Sequence, residues 1–400
     1  MIAWVALLVG LALIAIVMQD AFEVMLLPRR VQRRVRLMRY FFRGTWLAWR
    51  GIAKRLPAGG QREPFLGVYG ALSMVVLFGF WAIVLINAFG LLQFGLQALG
   101  GVKVVMLDQI YMSGTTFFTL GYGDVLPKTT LSRVVAVGEA GIGLGFLAVV
   151  IGYLPVLYQL FSRREAHVIQ LDGRAGSPPT ATTMICRHAE SDGLDKLDAL
   201  LCDWESWGAE LLDSHLSYPM LAYYRSQHDD HSWLGGLAAV MDASALVLVG
   251  VSEMKPLQAR MTFAMARHVV MEMGRSLHVA PQRHQPNRLS HEDFERIEVM
   301  FEAAGVKWSG GAGAEETLAA LRATYEPMLH TLADYLLIPL PPWVASKDEG
   351  ADHWEQGRRG GIASRLVEDL AVRNDPDGAL PPMSREPTMA GRLRERLKRR

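Results

Sequence analysis

The chain has 400 residues, of which 50% are hydrophobic and 20% are charged, and its mean hydropathy is +0.16. Lysine and arginine (41 residues) almost balance aspartate and glutamate (40 residues), so the net charge of +1 says nothing about partners. Two cysteines, Cys186 and Cys202, exclude a disulfide framework and a cysteine-based metal knuckle, and we expect both thiols to be reduced. The charged residues concentrate in one linker and in the second half of the chain, which is typical of a membrane protein with a large soluble part.

An apolar segment opens the chain and predicts a membrane span over residues 1–27. Residues 2–18 carry no charge, and Asp20 and Glu23 follow them. We expect these two acids to face protein or lie at a helix end and not to bind an ion. A secretory signal peptide is the rival interpretation, but such peptides carry positive charge before the apolar run, whereas here it follows. We therefore predict a retained span.

The next segment, residues 28–64, is a basic linker with eleven lysines and arginines and no acidic residue between positions 29 and 62. Because basic residues mark the cytoplasmic ends of membrane spans, we expect this linker in the cytoplasm and the N-terminus outside. Residues 31–56 also suit an amphipathic helix on anionic lipid, with Trp46 and Trp49 at the membrane interface. A simple topology determinant is the alternative interpretation.

Two further apolar runs predict a hairpin of membrane helices. Residues 65–92 are uncharged, and residues 134–161 contain a single charged residue, Glu139. Each run is long enough to cross the hydrocarbon core, which takes about 20 helical residues. Between them, residues 106–118 predict a helix of about half a bilayer in length. With the first span, this arrangement gives three crossings and leaves the C-terminus in the cytoplasm.

The segment Thr-Phe-Phe-Thr-Leu-Gly-Tyr-Gly-Asp occupies residues 116–124, at the end of this short helix. A dehydrated cation needs a cage of oxygen ligands, which stacked rings of backbone carbonyls from several chains can supply. Pointing successive carbonyls toward one axis requires backbone conformations that strain most residues. Gly121 and Gly123 avoid this strain because they lack a Cβ.

This segment resembles the selectivity filter of a potassium channel, with Leu120 where the commonest form has valine. The resemblance covers residues 65–161 and is to bacterial channels with one pore loop per chain. It implies a homotetramer that conducts K⁺ passively, with no enzyme activity, no cofactor and no metal site other than K⁺ in the filter. Asp124 would lie at the outer mouth, while Thr115 and Thr116 would support the filter. The residues implied to bind K⁺ are Thr119, Leu120, Gly121, Tyr122 and Gly123.

Glycines cluster in the second apolar run, where they permit both close helix packing and bending. In the potassium channels that the chain resembles, the glycine at the place of Gly143 is a gating hinge, and Gly141 is a neighbouring candidate. Packing alone is the alternative explanation. Pro155 removes a helical hydrogen bond and predicts a kink near the cytoplasmic end. We expect the side chains on one face of this helix to line the cavity: Leu144, Leu147 and Ile151.

Glu139 is a functional candidate because an ionisable group inside a membrane span is costly. Some related channels carry a glutamate on the pore helix, four residues before the filter threonine, where this chain has Thr115. We hypothesise that Glu139 supplies the missing support by bonding Ser113, Thr115 or Thr116 from behind the pore helix. A side chain that reaches water near the membrane interface is the alternative.

Glycine and proline are frequent within residues 162–193, which predicts a linker. Helix-length apolar patterns then predict a helical cytosolic domain over residues 194–345. One pattern, residues 233–251, is apolar enough for a fourth span, but Asp242 in its middle favours a buried core helix. The predicted helices of this domain are residues 194–216, 232–251, 257–277, 291–304 and 315–337.

The predicted domain contains no strand followed by a glycine-rich dinucleotide loop, so it does not resemble the nucleotide-sensing domains of many bacterial potassium channels. His228 and His231 are spaced as possible metal ligands, but without a second cluster a solvated helix end or loop is favoured. Residues 346–400 predict a flexible tail whose basic cluster, residues 392–400, suits contact with anionic lipid. Nucleic acid is not expected as a partner and is only a weak alternative for that tail.

These patterns predict an all-α membrane protein: a tetrameric potassium-channel pore in the plasma membrane, with a helical cytosolic C-terminal domain. Two alternatives stay open. A poorly selective cation channel is the nearer one, although Tyr122 argues against it because an intact Gly-Tyr-Gly is the potassium form of the motif. The second is a non-conducting membrane scaffold whose cytosolic domain acts as a sensor or binding module.

Overall fold

The computed structural model describes six stretches of the chain, and within them the protein is all-α, apart from one isolated backbone bridge between Val251 and Trp308. The predicted tail at 346–400, the start of the predicted amphipathic helix at 31–36, and His228 lie outside the described residues. The described stretches are residues 1–25, 37–57, 60–189, 193–227, 231–282 and 286–345.

Most of the predicted helices are present, and the last of them is divided. The predicted helix 315–337 consists of two helices, α12 and α13, because Pro327 occupies the first turn of a new helix. A 3₁₀ turn at Pro219–Tyr223 separates α8 from α9. The helices are α1 (Ile2–Met25), α2 (Leu37–Ala53), α3 (Arg62–Leu99), α4 (Met106–Phe117), α5 (Thr130–Gln170), α6 (Asp172–Ala175), α7 (Ala181–Ala189), α8 (Leu194–Ser217), α9 (Trp233–Gly250), α10 (Pro256–Leu277), α11 (His291–Ala303), α12 (Ala312–Ala323) and α13 (Glu326–Leu336).

Three helices, α1, α3 and α5, are long and apolar enough to cross a membrane and expose many large apolar side chains. In the most apolar 18-residue stretch of each, 17%, 50% and 11% of the residues are buried by protein. A water-soluble protein rarely exposes continuous apolar surfaces of this extent. The chain is therefore an all-α membrane protein, as predicted.

Helix α1 packs along α3 and continues past the apolar run to Met25. Gly10 is required for this contact, because a Cβ there would lie 2.6 Å from the carbonyl oxygen of Ala88. Trp81 Nε1 donates a hydrogen bond of 3.1 Å to Asp20 Oδ2, and Asp20 is buried. The prediction that Asp20 faces protein is thereby confirmed.

Helix α2 lies in the predicted basic linker, but its tryptophans do not have the environment that we predicted. Trp46 is 1% exposed, its Nε1 donates a 3.0 Å hydrogen bond to Tyr335 O, and its ring centroid lies 5.0 Å from that of Tyr223. Trp49 is half-buried and stacks on the ring of Phe65. The interfacial position predicted for Trp46 is therefore wrong, because an apolar helix face has the same sequence pattern whether it packs on lipid or on protein.

The predicted linker at residues 162–193 is mostly helical. Helix α5 continues to Gln170, and α6 and α7 follow it after short turns. Met184 and Ile185 of α7 are fully buried and belong to the main apolar core. Gly176, Pro178 and Pro179 lie in the turn between α6 and α7, whereas Gly173 lies within α6 and Gly193 directly precedes α8.

Helix α9 lies at the centre of the helical domain formed by α6 to α13. Of its 18 residues, 89% are buried, and α7, α8, α10 and α12 pack around it. Asp242 is 1% exposed and accepts hydrogen bonds from Arg288 Nη2 at 2.7 Å and from Tyr325 OH at 2.6 Å. The prediction of a buried core helix is confirmed, although its length and composition would also suit a membrane span.

Candidate functional site

The predicted filter follows α4 directly and has an unusual backbone. Thr119, Gly121 and Gly123 have φ angles of +56°, +58° and +79°. The two residues between them, Leu120 and Tyr122, do not have positive φ. In an ordinary strand successive carbonyls point to opposite sides, whereas alternation in the sign of φ turns successive peptide groups the same way. The segment therefore has the backbone pattern that a row of carbonyl ligands requires.

Hydrogen bonds to the end of α4, the predicted pore helix, hold Thr119 and the two residues after it. A β-branched residue at positive φ costs about 1–3 kcal/mol and persists only where its surroundings hold it. Thr119 N donates to Thr116 O at 3.0 Å, while Leu120 N and Gly121 N donate to Thr115 O at 2.7 and 3.3 Å. The last carbonyls of α4, which have no partner within the helix, thus bind the start of the filter.

Glu139 of α5 contacts the pore helix, α4, at Ser113. Its side chain is 0% exposed, and Ser113 Oγ donates a very short hydrogen bond to its Oε1 while also lying 2.7 Å from a carbonyl oxygen of α3. The hydroxyls of Thr115 and Thr116 donate to Met112 O, at 2.9 and 2.8 Å. The predicted contact is therefore present at Ser113 and not at the two threonines, and burial excludes a side chain that reaches water.

The glycines of α5 have different environments. A Cβ on Gly143 would lie 2.0 Å from Phe117 O, so close packing alone requires glycine there. Gly141 has open space where its Cβ would be. The close contact favours the packing interpretation for Gly143, and a gating role for either glycine stays a prediction. Pro155 lies inside α5, which continues beyond it, and its predicted kink also stays a prediction.

A large apolar surface around the filter and along α5 is uncovered in the single chain. Leu120, Tyr122, Leu144, Leu147 and Ile151 are all more than half exposed. Irregular backbone is tolerated at membrane depth only where protein or a water-filled cavity surrounds it. A single chain therefore leaves both the predicted filter and this face of α5 uncovered.

The other end of the filter carries Asp124, which interacts with the side chain of Tyr111 on α4. Within the part of the chain that the structure describes, no three His, Cys, Asp or Glu side chains are grouped as a metal site. His231, one of the two histidines considered as metal ligands, has its Nε2 3.0 Å from Ser177 Oγ. The described residues thus place no such cluster at the predicted filter, whose five residues offer backbone carbonyl oxygens.

Sequence reasoning missed a row of buried polar side chains behind the pore helix. Gln93 and Gln97 of α3, Gln109 of α4 and Ser132 of α5 are at most 3% exposed. A signal was present in the spacing, because Gln93 with Gln97 and Gln109 with Ser113 are each four residues apart and share a helix face. Both pairs lie outside the apolar runs at residues 65–92 and 134–161, so these polar residues do not interrupt an apolar sequence.

Residues 218–225, which lie between α8 and α9, contact the C-terminal part of α5. They were also not singled out from the sequence. Arg164 of α5 is 4% exposed and donates to Leu221 O at 2.8 Å and to Tyr224 O at 2.9 Å. It also forms an ion pair of 2.9 Å with Glu165. The C-terminal part of α5 is thus hydrogen-bonded directly to the helical domain.

His215 of α8 faces the same arginine. Its Nε2 lies 3.5 Å from Arg164 Nη1, and its Nδ1 is 2.8 Å from Leu211 O, to which the neutral ring donates. Burial, together with the charge of Arg164, lowers the pKa of His215 to about 3. The imidazole is therefore neutral near pH 7 and accepts from the arginine without repelling it.

Comparison with known proteins supports a channel for this part of the chain. Residues 71–159 match a family model described as an ion channel, and this range contains the whole of α4 and the predicted filter. An uncharacterized membrane protein of Bacillus subtilis (strain 168), YdjJ, is 28% identical over 148 residues, which cover 36% of this chain and 42% of that protein. No solved structure matches the chain. The protein is thus an all-α membrane protein in which residues 71–159 are similar to an ion channel family.

Proposed function

We propose that the protein is a passive, K⁺-selective channel in which four copies of the chain surround one filter, residues 119–123. The observation that carries this proposal is the alternating backbone of that segment, bonded at its start to the C-terminal carbonyls of a half-length membrane helix. Each chain would contribute one row of carbonyl oxygens, and four rows form rings that replace the water around K⁺. The intact Gly-Tyr-Gly favours K⁺ over a poorly selective cation channel.

A tetramer would also cover the surfaces that one chain leaves open. The apolar face of α5 with Leu144, Leu147 and Ile151 would line a central cavity below the filter. The C-terminal ends of four α4 helices would point negative potential toward that cavity and favour cations. Conduction then requires no covalent chemistry and no cofactor, since ions exchange water for carbonyls and move down their gradient by mutual repulsion.

The contacts of α2 support the proposed topology. In this topology the protein lies in the plasma membrane, with its N-terminus outside the cell and its helical domain in the cytoplasm. Arg50 of α2 forms an ion pair of 2.9 Å with Asp334 of α13. This contact supports a topology in which the basic linker and the helical domain lie on one side of the membrane, with α3 and α5 crossing it in opposite directions. The excess of lysine and arginine in the linker assigns that side to the cytoplasm.

Ion flux from liposomes tests this function. Purified protein in liposomes is given a K⁺ gradient and then a Na⁺ gradient, with Ba²⁺ as blocker. We expect Ba²⁺-sensitive K⁺ flux without comparable Na⁺ flux. Tyr122→Ala should abolish the difference between the ions, whereas Tyr40→Ala, at an exposed tyrosine of α2, should not change it. Equal flux of both ions in the unchanged protein would support the poorly selective channel.

A second measurement does not depend on an open gate. Ions that bind the folded filter should stabilise the assembled protein. We therefore expect the thermal unfolding temperature to be higher in K⁺ than in Na⁺, and the difference to disappear in Tyr122→Ala. Absence of both K⁺ flux and K⁺-dependent stabilisation would contradict the channel and favour a scaffold.

A further inference from the structure

Gln97 is buried in α3, a membrane helix, and both the nitrogen and the oxygen of its side-chain amide form hydrogen bonds. It is 0% exposed, like Gln93 one turn earlier on α3. A buried amide is costly in an apolar environment unless its donor and acceptor are both satisfied. Its partners therefore indicate which parts of the protein it holds together.

The side chain of Gln97 connects three separate elements. Its Nε2 donates to Gln109 Oε1 of the pore helix at 2.5 Å. Its Oε1 accepts from Lys128 N, in the segment between the filter and α5, at 3.1 Å. One side chain of α3 thus bonds the pore helix and the chain that leaves the filter.

The two ends of the filter are therefore held in different ways. At its start, Leu120 N and Gly121 N bond Thr115 O, so the pore helix itself supplies the support. Beyond its end, the chain is bonded through Lys128 N to Gln97, a residue of another helix. The distance between the two ends of the filter is thus set partly by the hydrogen bonds that join Gln97 of α3 to α4 and to Lys128 N.

We propose that Gln97 is a positioning residue for K⁺ selection: it holds the chain beyond the filter at a fixed distance from the pore helix and so limits how far the carbonyl rows can spread. This inference rests on the proposed K⁺ channel. Gln97 would not contact ions and would act through the backbone of the filter. A neighbouring glutamine provides a contrast, because Gln93 Nε2 bonds Ser132 O, in the first turn of α5, at 3.1 Å.

The test is Gln97→Met, which keeps the length of the side chain and removes both hydrogen bonds. We expect the ratio of Na⁺ flux to K⁺ flux from liposomes to rise about tenfold, because the two lost hydrogen bonds no longer hold the chain beyond the filter, and a tenfold change corresponds to the net strength of about one hydrogen bond. Asn87→Leu is the matched control, because Asn87 is an exposed amide of the same helix whose Nδ2 donates to Ile83 O within α3. It should leave the ratio unchanged.

Two further variants separate positioning from simple stability. Gln97→Glu keeps an acceptor for Lys128 N, so we expect it to retain more of the selectivity than Gln97→Met. Adding Gln109→Met to Gln97→Met should raise the ratio little further, because the bond between the two residues is already lost. If Gln97→Met does not assemble, Gln109→Met alone should raise the ratio by a smaller amount in the same direction.

The outcomes distinguish this inference from the function on which it rests. An unchanged protein that does not discriminate K⁺ from Na⁺ overturns the proposed channel itself. An unchanged protein that discriminates, together with a Gln97→Met or Gln109→Met protein that assembles and matches Asn87→Leu, overturns the positioning role and leaves the channel intact.

Discussion

Helices α5 and α9 are both long and apolar, and each carries one acidic residue within its apolar stretch, yet their surroundings are opposite. Protein buries 11% of the most apolar stretch of α5 and 89% of α9. Length and composition alone would assign both to the membrane. The difference lies in what surrounds them, since α9 is enclosed by helices with charged outer faces, whereas α5 exposes its apolar side chains.

The two acids have different partners, and this difference is informative. Asp242 of α9 faces the guanidinium of Arg288 and the hydroxyl of Tyr325. Glu139 of α5 faces the hydroxyl of Ser113, and its Oε2 has no hydrogen-bond partner within the described residues. Asp242 therefore balances a buried positive charge, whereas Glu139 serves as a hydrogen-bond acceptor. Substitutions that separate charge from hydrogen bonding should affect the two helices differently.

The largest expected effect is at Asp242. Asp242→Ala removes the nearer of the two carboxylates that face the buried Arg288 and leaves Glu326 at 3.4 Å, so we expect a loss of up to about 3–5 kcal/mol of stability, the cost of breaking a buried ion pair. We expect the thermal unfolding temperature of the purified protein to fall strongly, and Asp242→Asn to be nearly as damaging. Combining Asp242→Leu with Arg288→Met should recover part of the loss, because no unpaired charge then remains. An unfolding temperature unchanged in Asp242→Ala would mean that α9 is not held by this pair.

A smaller effect is expected within α5, where the exposed helix touches the pore helix at few positions. Gly143→Ala would place a methyl group 2.0 Å from Phe117 O, and such overlap in a packed contact costs about 1–3 kcal/mol. Gly141→Ala meets open space, and alanine is the better helix former, so it should not destabilise the protein. Thermal unfolding of the two variants measures this difference. Equal effects would show that Gly143 is not a packing glycine.

Several features of the pore could be predicted because their chemistry is local. The pore helix was expected at residues 106–118 and is found at Met106–Phe117, since an apolar segment too short to span must end inside the membrane. A hydrogen bond between Glu139 and Ser113, Thr115 or Thr116 was the hypothesis, because an acid inside a membrane span needs a partner, and the structure shows the bond at Ser113. In each case a strong energetic penalty leaves few solutions, and the sequence therefore predicts the answer.

Other features depend on which surfaces meet, and no local pattern specifies this. The face of α2 that carries Trp46 suits lipid and protein equally, and only the presence of Tyr223 and Tyr335 decides between them. The helices at residues 172–189 were predicted as linker because their glycines and prolines are local signals, while the burial of Met184 is not. The spacing of Gln97 and Gln93 indicates a shared polar face of α3, but it does not specify which surface that face meets, so the partners of Gln97 were missed.

The smallest expected effect tests the contrast between the two acids most directly. Glu139→Gln keeps a carbonyl oxygen that Ser113 Oγ can donate to, so we expect its stability and its K⁺ flux over time to resemble those of the unchanged protein. Glu139→Leu removes the acceptor and should cost about 1 kcal/mol, the net value of one hydrogen bond. If this contact supports the filter, K⁺ flux through Glu139→Leu should also decline faster after it starts.

Thermal unfolding in K⁺ and a flux time course measure both effects for the two variants. If Glu139→Gln is as damaging as Glu139→Leu, the negative charge itself is needed, and Glu139 resembles Asp242 more closely than their partners indicate. If neither variant differs from the unchanged protein, the contact with Ser113 does not support the filter. The hydrogen bonds from Leu120 and Gly121 to Thr115 would then be the principal support at that end of the filter.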